Sequence, residues 1–240
     1  MAIALANSER LTIGVGVLPI PLRNVALTAM EIATLHRAFP GRVRIGLGHG
    51  VQDWMKQVGA KVSSPMTLMR EHLTCLRALL HGETVTFHGT YVTLDDVTLD
   101  WPPTSDVEIL TAAVGPRTLA LSGELSNGTV LTQGTTPDQV REAIAQIAPT
   151  GPHSVITYVL SATGDDAAQQ IQQEAARWNL DATTDIHASG TAADIATAVR
   201  RWVDAGSDTI VLQPPLNADI ERFVEFVGTQ VQPLLRQDVT

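Results

Sequence analysis

Three glycine-rich segments of this 240-residue sequence have the residue types needed to hold a flat or phosphorylated ligand. These segments are residues 14–24, 46–50 and 112–117. A glycine backbone lets a ligand approach closely because no Cβ stands in the way. Gly115 and Pro116, at the start of a predicted helix, would point backbone N–H groups and the positive end of the helix dipole at an anion. Arg23 or Arg117 could add a guanidinium to such a site.

The same glycines also have a purely structural explanation. Gly14 and Gly16 could permit tight packing within a sheet, and Gly48 and Gly50 could serve a turn. Segment 46–50 is not a dinucleotide-binding fingerprint, because it lacks the third glycine and the acidic residue at the end of the next strand. The residues alone therefore leave ligand binding and packing open for each segment.

His49 is the only histidine predicted at the carboxyl end of a strand, so it is the candidate for ligand contact and proton transfer. No other catalytic residue is identified. The remaining histidines are predicted to be exposed, at helix ends, in turns or loops, or before a strand: His36, His72, His81, His88, His153 and His187. No histidines and carboxylates have the spacing of metal ligands, so no metal is predicted.

Short apolar runs alternate with longer segments of helical period, and this alternation must position the glycine-rich segments. The runs are apolar on both faces, which is typical of parallel strands buried on both sides: residues 11–18, 43–47, 107–113, 129–131, 155–160 and 209–212. Helices are predicted after them, over residues 25–37, 66–80, 137–147, 165–178, 191–205 and 218–235. This order predicts a single α/β domain over residues 1–240, with the glycine-rich segments at the carboxyl edge of the sheet.

Residues 82–106 interrupt the alternation. They are predicted to form a small strand pair around a turn at His88 and Gly89, inserted between two strand–helix units. This insertion and the loops after the strands at 155–160 and 209–212 are the regions expected to select a substrate. Residues 213–215 could line a pocket or simply end a strand.

Composition excludes several classes of protein. The single cysteine, Cys75, rules out an internal disulfide, and its place on an apolar helical stripe predicts a core residue in a cytoplasmic protein. No run of apolar residues is long enough for a membrane span, and the first residues do not have the pattern of a signal peptide. The formal net charge of −9 argues against a nucleic-acid partner.

The glycine-rich segments lie in a context that resembles the luciferase-like monooxygenase superfamily. The resemblance rests on SERLTIGVGV at residues 8–17, Arg23, GRVRIGLGHG at 41–50 and, most sharply, GPRTLALSGELSNGTV at 115–130. Within this superfamily, the sequence is similar to the branch that uses the deazaflavin coenzyme F420. That branch includes methylenetetrahydromethanopterin reductases and F420-dependent glucose-6-phosphate dehydrogenases. The resemblance implies a TIM-barrel-like (β/α)8 variant that forms a homodimer and transfers a hydride between F420 and a small organic substrate.

The resemblance also implies roles for individual residues. Gly16 and Val17 match a bulge with a non-prolyl cis peptide behind the deazaflavin ring, His49 and Gly50 match residues beside the ring, and the segment 113–116 matches the loop that holds the coenzyme's phosphate. The residues implied in cofactor binding are therefore Gly16, Val17, His49, Gly50, Ala113, Val114, Gly115 and Pro116.

The sequence departs from the family pattern in a few places. Val25 stands where proline is common, and Asn127 replaces a common aspartate. Val51 stands where the sugar-phosphate dehydrogenases carry an acid, which predicts a different substrate. The resemblance begins at the family's third strand, so about six strand–helix units are predicted, without the first two strands and their proton-handling residue. An FMN-dependent monooxygenase and a non-catalytic flavin-binding remnant are the alternative functions.

Overall fold

The computed structural model describes residues 1–236, and the chain divides into two compact units. The first unit comprises Met1–Thr129 and Pro149–His153. The second comprises Val130–Ala148 and the described part of Ser154–Thr240. No helix within residues 1–236 combines the length and the apolar composition that crossing a membrane requires.

The first unit contains three parallel strands, a hairpin and five helices over its described residues. Its elements are α1 (Ala2–Ala6), β1 (Ile13–Pro19), a 3₁₀ turn (Ile20–Leu22), α2 (Val25–Ala38), β2 (Val43–Gly48), α3 (Gln52–Gln57), α4 (Pro65–Leu80), β3 (Val85–His88), β4 (Thr93–Val97), β5 (Ile109–Ala112) and α5 (Pro116–Leu125). Strand β6 (Gly128–Leu131) begins in this unit and ends in the second.

The second unit alternates strands and helices. Its elements are α6 (Pro137–Ile147), β7 (Ser154–Thr163), α7 (Ala167–Arg177), β8 (His187–Gly190), α8 (Ala192–Asp204), β9 (Thr209–Gln213), α9 (Ile220–Phe226), a π-helical turn (Val227–Val231) and α10 (Gln232–Arg236). Strand β7 pairs in parallel with β9 along its first half and with β8 along its last four residues.

The parallel strands of the first unit bring three chain segments to one edge. Strand β2 pairs with β1 on one side and with β5 on the other, and Pro19 lies opposite Gly48. All but one of the β2 residues are buried, as expected for a parallel strand covered on both faces. The residues that follow β1, β2 and β5 therefore leave the sheet at its carboxyl edge.

Local signals set the helix ends. The Asn24 side chain accepts hydrogen bonds from the backbone N–H groups of Ala26 and Leu27, at 2.9 and 3.3 Å, and so caps α2. Thr136 and Gln139 form a reciprocal capping box at the start of α6. Gly206 follows α8 with a φ of +108°, the conformation expected of a glycine that ends a helix.

The prediction for His72 is wrong, because this residue is 1% exposed and lies inside α4. His36 lies in the last turn of α2, as the helix-end alternative predicts, but it is only 2% exposed. Each continues the apolar stripe of its helix, with Ile32 four residues before His36 and Leu68 four before His72, and α2 packs against α4. Both histidines fall at the helical spacing of the apolar stripes. They were predicted to be exposed or at helix ends because histidine is a polar residue type.

The structure also tests the predictions for Cys75, the hairpin and His187. Cys75 is 1% exposed and lies in the core of the first unit, and β3 and β4 form the predicted antiparallel hairpin. His187 does not lie in a loop, because it begins β8. The segment His187–Gly190 contains no branched aliphatic residue, so its strand conformation comes from pairing with β7 and has no propensity signal.

Candidate cofactor site at the carboxyl edge of the first unit

The site begins at a bulge in β1. The register between β1 and β2 shifts between Val15 and Leu18, and the peptide bond between Gly16 and Val17 is cis. The bulge implied by the family resemblance is therefore present. It lies just before the carboxyl end of β1, and it turns the Val17 side chain toward β2.

The glycines of β2 make room for this bulge. A Cβ on Gly46 would lie 2.4 Å from the Val15 carbonyl oxygen, and a Cβ on Gly48 would lie 2.8 Å from Val17 Cγ2. Neither separation is compatible with a side chain, so both positions require glycine for packing. The structural explanation therefore holds for Gly48, although the contact involved is with the β1 bulge and not with a turn.

His49 joins three elements at the same edge. Its Nε2 lies 3.4 Å from Thr118 Oγ1 in the first turn of α5, and its ring is hydrogen-bonded to the backbone of Pro65 at the start of α4. Burial lowers the pKa of His49, and the bond to Pro65 opposes this shift without cancelling it. The imidazole is therefore neutral near pH 7 and serves as a hydrogen-bonding group.

Gly50 follows His49 in a left-handed conformation, with a φ of +68°. A Cβ at this position would also lie 2.8 Å from Met55 Sδ of α3. The Gln52 side chain donates hydrogen bonds to the carbonyl oxygens of both His49 and Gly50, each at 3.3 Å. The turn after β2 is consequently fixed by its own conformation and by α3.

The loop between β5 and α5 is the open part of the site. Ala113 is buried, whereas Val114 is 76% exposed and Gly115, Pro116 and Arg117 are also exposed. A Cβ on Gly115 would meet no atom within 4 Å. The start of α5 therefore presents its backbone to open space, where an anion can reach the N–H groups of the first turn.

The two arginines considered for anion binding differ in availability. Arg23 forms a salt bridge with Glu31 of α2, so its guanidinium already has an ionic partner. Arg117 makes no hydrogen bond or ion pair with any residue between positions 1 and 236, and it lies beside Gly115. Only Arg117 keeps a free guanidinium at the loop.

The fold thus brings the predicted site residues to one edge. Gly16 and Val17 pack on β2, His49 and Gly50 follow β2, and residues 113–116 follow the neighbouring strand β5. Thr118 was not predicted, although its position in the first turn of the helix after Gly115 is a signal that could have found it. Asn127, which replaces the family's aspartate, anchors β5 by accepting a hydrogen bond from Ile109 N at 3.1 Å.

Comparisons with known proteins agree in family and in fold. A family model described as luciferase-like monooxygenase matches residues 1–212. The 5,10-methylenetetrahydromethanopterin reductase of Methanolobus tindarius is 34% identical over 142 residues, which are 59% of this chain and 43% of that protein. An F420-dependent glucose-6-phosphate dehydrogenase of Kineococcus radiotolerans is 28% identical over 280 aligned positions, covering 96% of this chain and 80% of that protein. The alignment with the first of these relatives thus spans less than half of its length.

Solved structures share the fold at low identity. An F420-dependent secondary alcohol dehydrogenase in complex with an F420–acetone adduct gives a TM-score of 0.83 at 18% identity, over 98% of this chain and 82% of that one. The F420-dependent tetrahydromethanopterin reductase of Methanopyrus kandleri gives 0.81 at 20% identity, over 96% and 85%. These likenesses establish a TIM-barrel-like arrangement of strands and helices, as the sequence predicts.

Proposed function

The chain belongs to the luciferase-like monooxygenase family, and on that premise we propose that it is an F420-dependent oxidoreductase. It would transfer a hydride between the deazaflavin and a small organic substrate. The observation that carries this proposal is the meeting of the β1 bulge, His49 and the open start of α5 at one sheet edge. The relatives named as F420-dependent enzymes support it.

The residues at this edge fit such a cofactor. The exposed backbone at Gly16 in the bulge offers a surface without a side chain, against which a flat ring can lie. The exposed backbone of Val114 and Gly115 offers N–H groups to a phosphate, and the free guanidinium of Arg117 adds a positive charge. When bound, F420 supplies the hydride-transfer chemistry, and the protein supplies position and electrostatics.

His49 would act by position. Because its imidazole is neutral and bonded to Pro65 and Thr118, it holds the first turn of α5 against the end of β2. The phosphate loop and the bulge are thereby kept at a fixed separation. We also propose that the protein is cytoplasmic, in keeping with its lone buried thiol, Cys75.

Fluorescence titration of the purified protein with F420, and in parallel with FMN, tests the proposal. We expect saturable binding of F420. The variant Gly115→Asp should weaken it about tenfold, because a carboxylate would repel the phosphate at a position where a side chain has free space. Gly151→Asp is the matched control, since its Cβ also meets no atom within 4 Å, and it should bind F420 normally.

Saturable FMN binding without F420 binding would support a monooxygenase instead. Binding of neither coenzyme would reject both enzymatic functions and favour a non-catalytic member of the family. Equal effects of the two aspartate substitutions would reject the assignment of the phosphate loop.

A further inference from the structure

The second unit contains a cavity that the proposed cofactor site does not use. Its volume is about 970 Å³, and every residue that lines it belongs to the second unit. It opens between one face of α7 and one face of α9, beside the segments that follow β7 and β9. Pro215, in the segment expected to line a pocket or end a strand, lines the cavity, and β9 ends two residues before it, at Gln213.

The cavity has a surplus of negative charge. Four carboxylates line it, from Asp165, Asp166, Glu174 and Asp219, against the two guanidinium groups of Arg177 and Arg222. Arg177 is already committed, because it pairs with Glu174 at 3.3 Å and lies 5.5 Å from the centre of the Trp178 ring. The cavity therefore attracts cations and disfavours anions.

One of these carboxylates is a built part of the wall. Glu174 is only 6% exposed, and it accepts hydrogen bonds from Trp178 Nε1 at 2.9 Å and from Leu216 N at 3.2 Å. These bonds tie the segment after β9 to α7 and hold the charge in place. Because Arg177 already compensates this buried charge, Glu174 shapes the wall, and the other carboxylates supply the charge available to a ligand.

The opposite wall is aromatic. Phe223 and Phe226 of α9 line the cavity one helical turn apart, and Phe223 is 7% exposed. Aromatic faces attract cations through the ring quadrupole and also bury apolar groups. Asp165 makes no hydrogen bond or ion pair with the chain through residue 236, so its charge is available to a ligand.

We propose that this cavity is a binding site for a small organic amine with an aromatic or apolar body. The carboxylates would receive the ammonium group, and Phe223 and Phe226 would pack against the body. A phosphate-bearing coenzyme would be repelled by these carboxylates.

Three probes that share a phenylethyl body and differ in the charge of the head group test the proposal by calorimetric titration of the full chain: phenethylamine, phenethyl alcohol and hydrocinnamate. We expect saturable binding of phenethylamine, about tenfold weaker binding of the alcohol, and none of the carboxylate. Binding of the amine should weaken as salt is added, because exposed charges are screened.

Two single substitutions locate the site. Asp165→Asn should weaken phenethylamine binding about threefold, the effect expected from one exposed charge pair. Asp204→Asn, which neutralises an exposed carboxylate of α8 outside the cavity, should leave it unchanged. The proposal is overturned if hydrocinnamate binds as tightly as the amine, if no probe saturates, or if the two variants behave alike. None of these outcomes depends on whether the protein binds F420.

Discussion

At the scale of single residues, Gly48 is closely constrained by its neighbours. Its missing Cβ leaves the space that Val17 fills, with Val17 Cγ2 at 2.8 Å and Ala112 Cβ at 3.4 Å from where that atom would lie. The bulge, β2 and β5 therefore contact one another through a glycine. A substitution here acts on the site through packing and not through lost contact with a ligand.

Gly48→Ala should destabilise the protein by about 1–3 kcal/mol, the usual cost of overpacking. Val17→Ala removes the methyl groups that the new Cβ would strike, so the double variant should recover much of that loss. Chemical denaturation of the wild type, both single variants and the double variant measures this coupling. Additive losses would show that the contact between Val17 and residue 48 does not limit the site.

His72 makes stability depend on pH. Its Nε2 has no hydrogen-bond partner among residues 1–236, and burial together with the nearby Arg23 charge lowers its pKa to about 4. The unfolded chain binds a proton near pH 6.5, whereas the folded chain does not, so stability falls as the pH drops from about 6.5 toward 4. Protonation of His72 should lower the free energy of unfolding by about 2 kcal/mol at pH 5.

Denaturation of His72→Phe at pH 7 and pH 5 tests this expectation. The variant should lose less stability between the two pH values than the wild type, because the titrating group is gone. His81→Gln removes an exposed histidine one residue beyond α4 and is the control, with the wild-type pH dependence expected. An unchanged slope in His72→Phe would mean that His72 is not the titrating group.

At the scale of elements, one carboxylate fastens the hairpin insertion to α4. Glu71 is 8% exposed and accepts backbone hydrogen bonds from Thr90, Tyr91 and Val92 at 2.7, 2.8 and 3.0 Å. Burial opposes ionisation, but these three N–H groups together hold the pKa of Glu71 below its usual range. The stabilisation is present at neutral pH and is lost as the pH falls through that lowered pKa.

Glu71→Gln should free the hairpin. The amide replaces one acceptor oxygen by a donor that faces backbone N–H groups, which should cost about 1–3 kcal/mol. Hydrogen exchange should show faster exchange of the Thr90, Tyr91 and Val92 amides at pH 7. Glu83→Gln, an exposed change beside the hairpin, should leave their protection intact. Unaltered protection in Glu71→Gln would refute the clamp.

At the scale of the whole molecule, net charge and exposed apolar surface have opposite effects on self-association. The net charge of −9 opposes self-association. Helix α2 nevertheless presents Leu27 and Met30 with 60% and 54% of their surface exposed, and Leu22 in the preceding turn is 51% exposed. Exposed apolar groups of this size are typical of surfaces that another protein covers. We propose a homodimer in which α2 contributes to the interface.

Sedimentation equilibrium should give about twice the chain mass of 25.7 kDa. Leu27→Lys should shift the protein toward the monomer, because the interface would have to bury a charge. Val203→Lys changes an equally apolar and 51% exposed position on α8 and should leave the dimer intact. A monomeric wild type, or a dimer unaffected by Leu27→Lys, would contradict the proposal.

Signals that act over a few residues could be read from the sequence alone. The caps at Asn24 and Thr136, the glycine after α8 and the apolar runs depend on neighbours within one helical turn or on burial of a whole segment. The glycine-rich segments and the parallel order then placed the candidate site at the carboxyl edge of the strands. The cis peptide bond and the F420 cofactor were predicted from the family resemblance alone, because no local sequence pattern indicates either of them.

Only the tertiary structure decided what each of these residues does. Gly48 serves the bulge, Arg23 pairs with Glu31, and His49 reaches Thr118 across 69 positions of sequence. The cavity beside Glu174 likewise depends on α7 and α9 facing each other. Such contacts follow from strand register and helix packing, which join residues far apart in the chain, and no spacing rule within one segment can supply them.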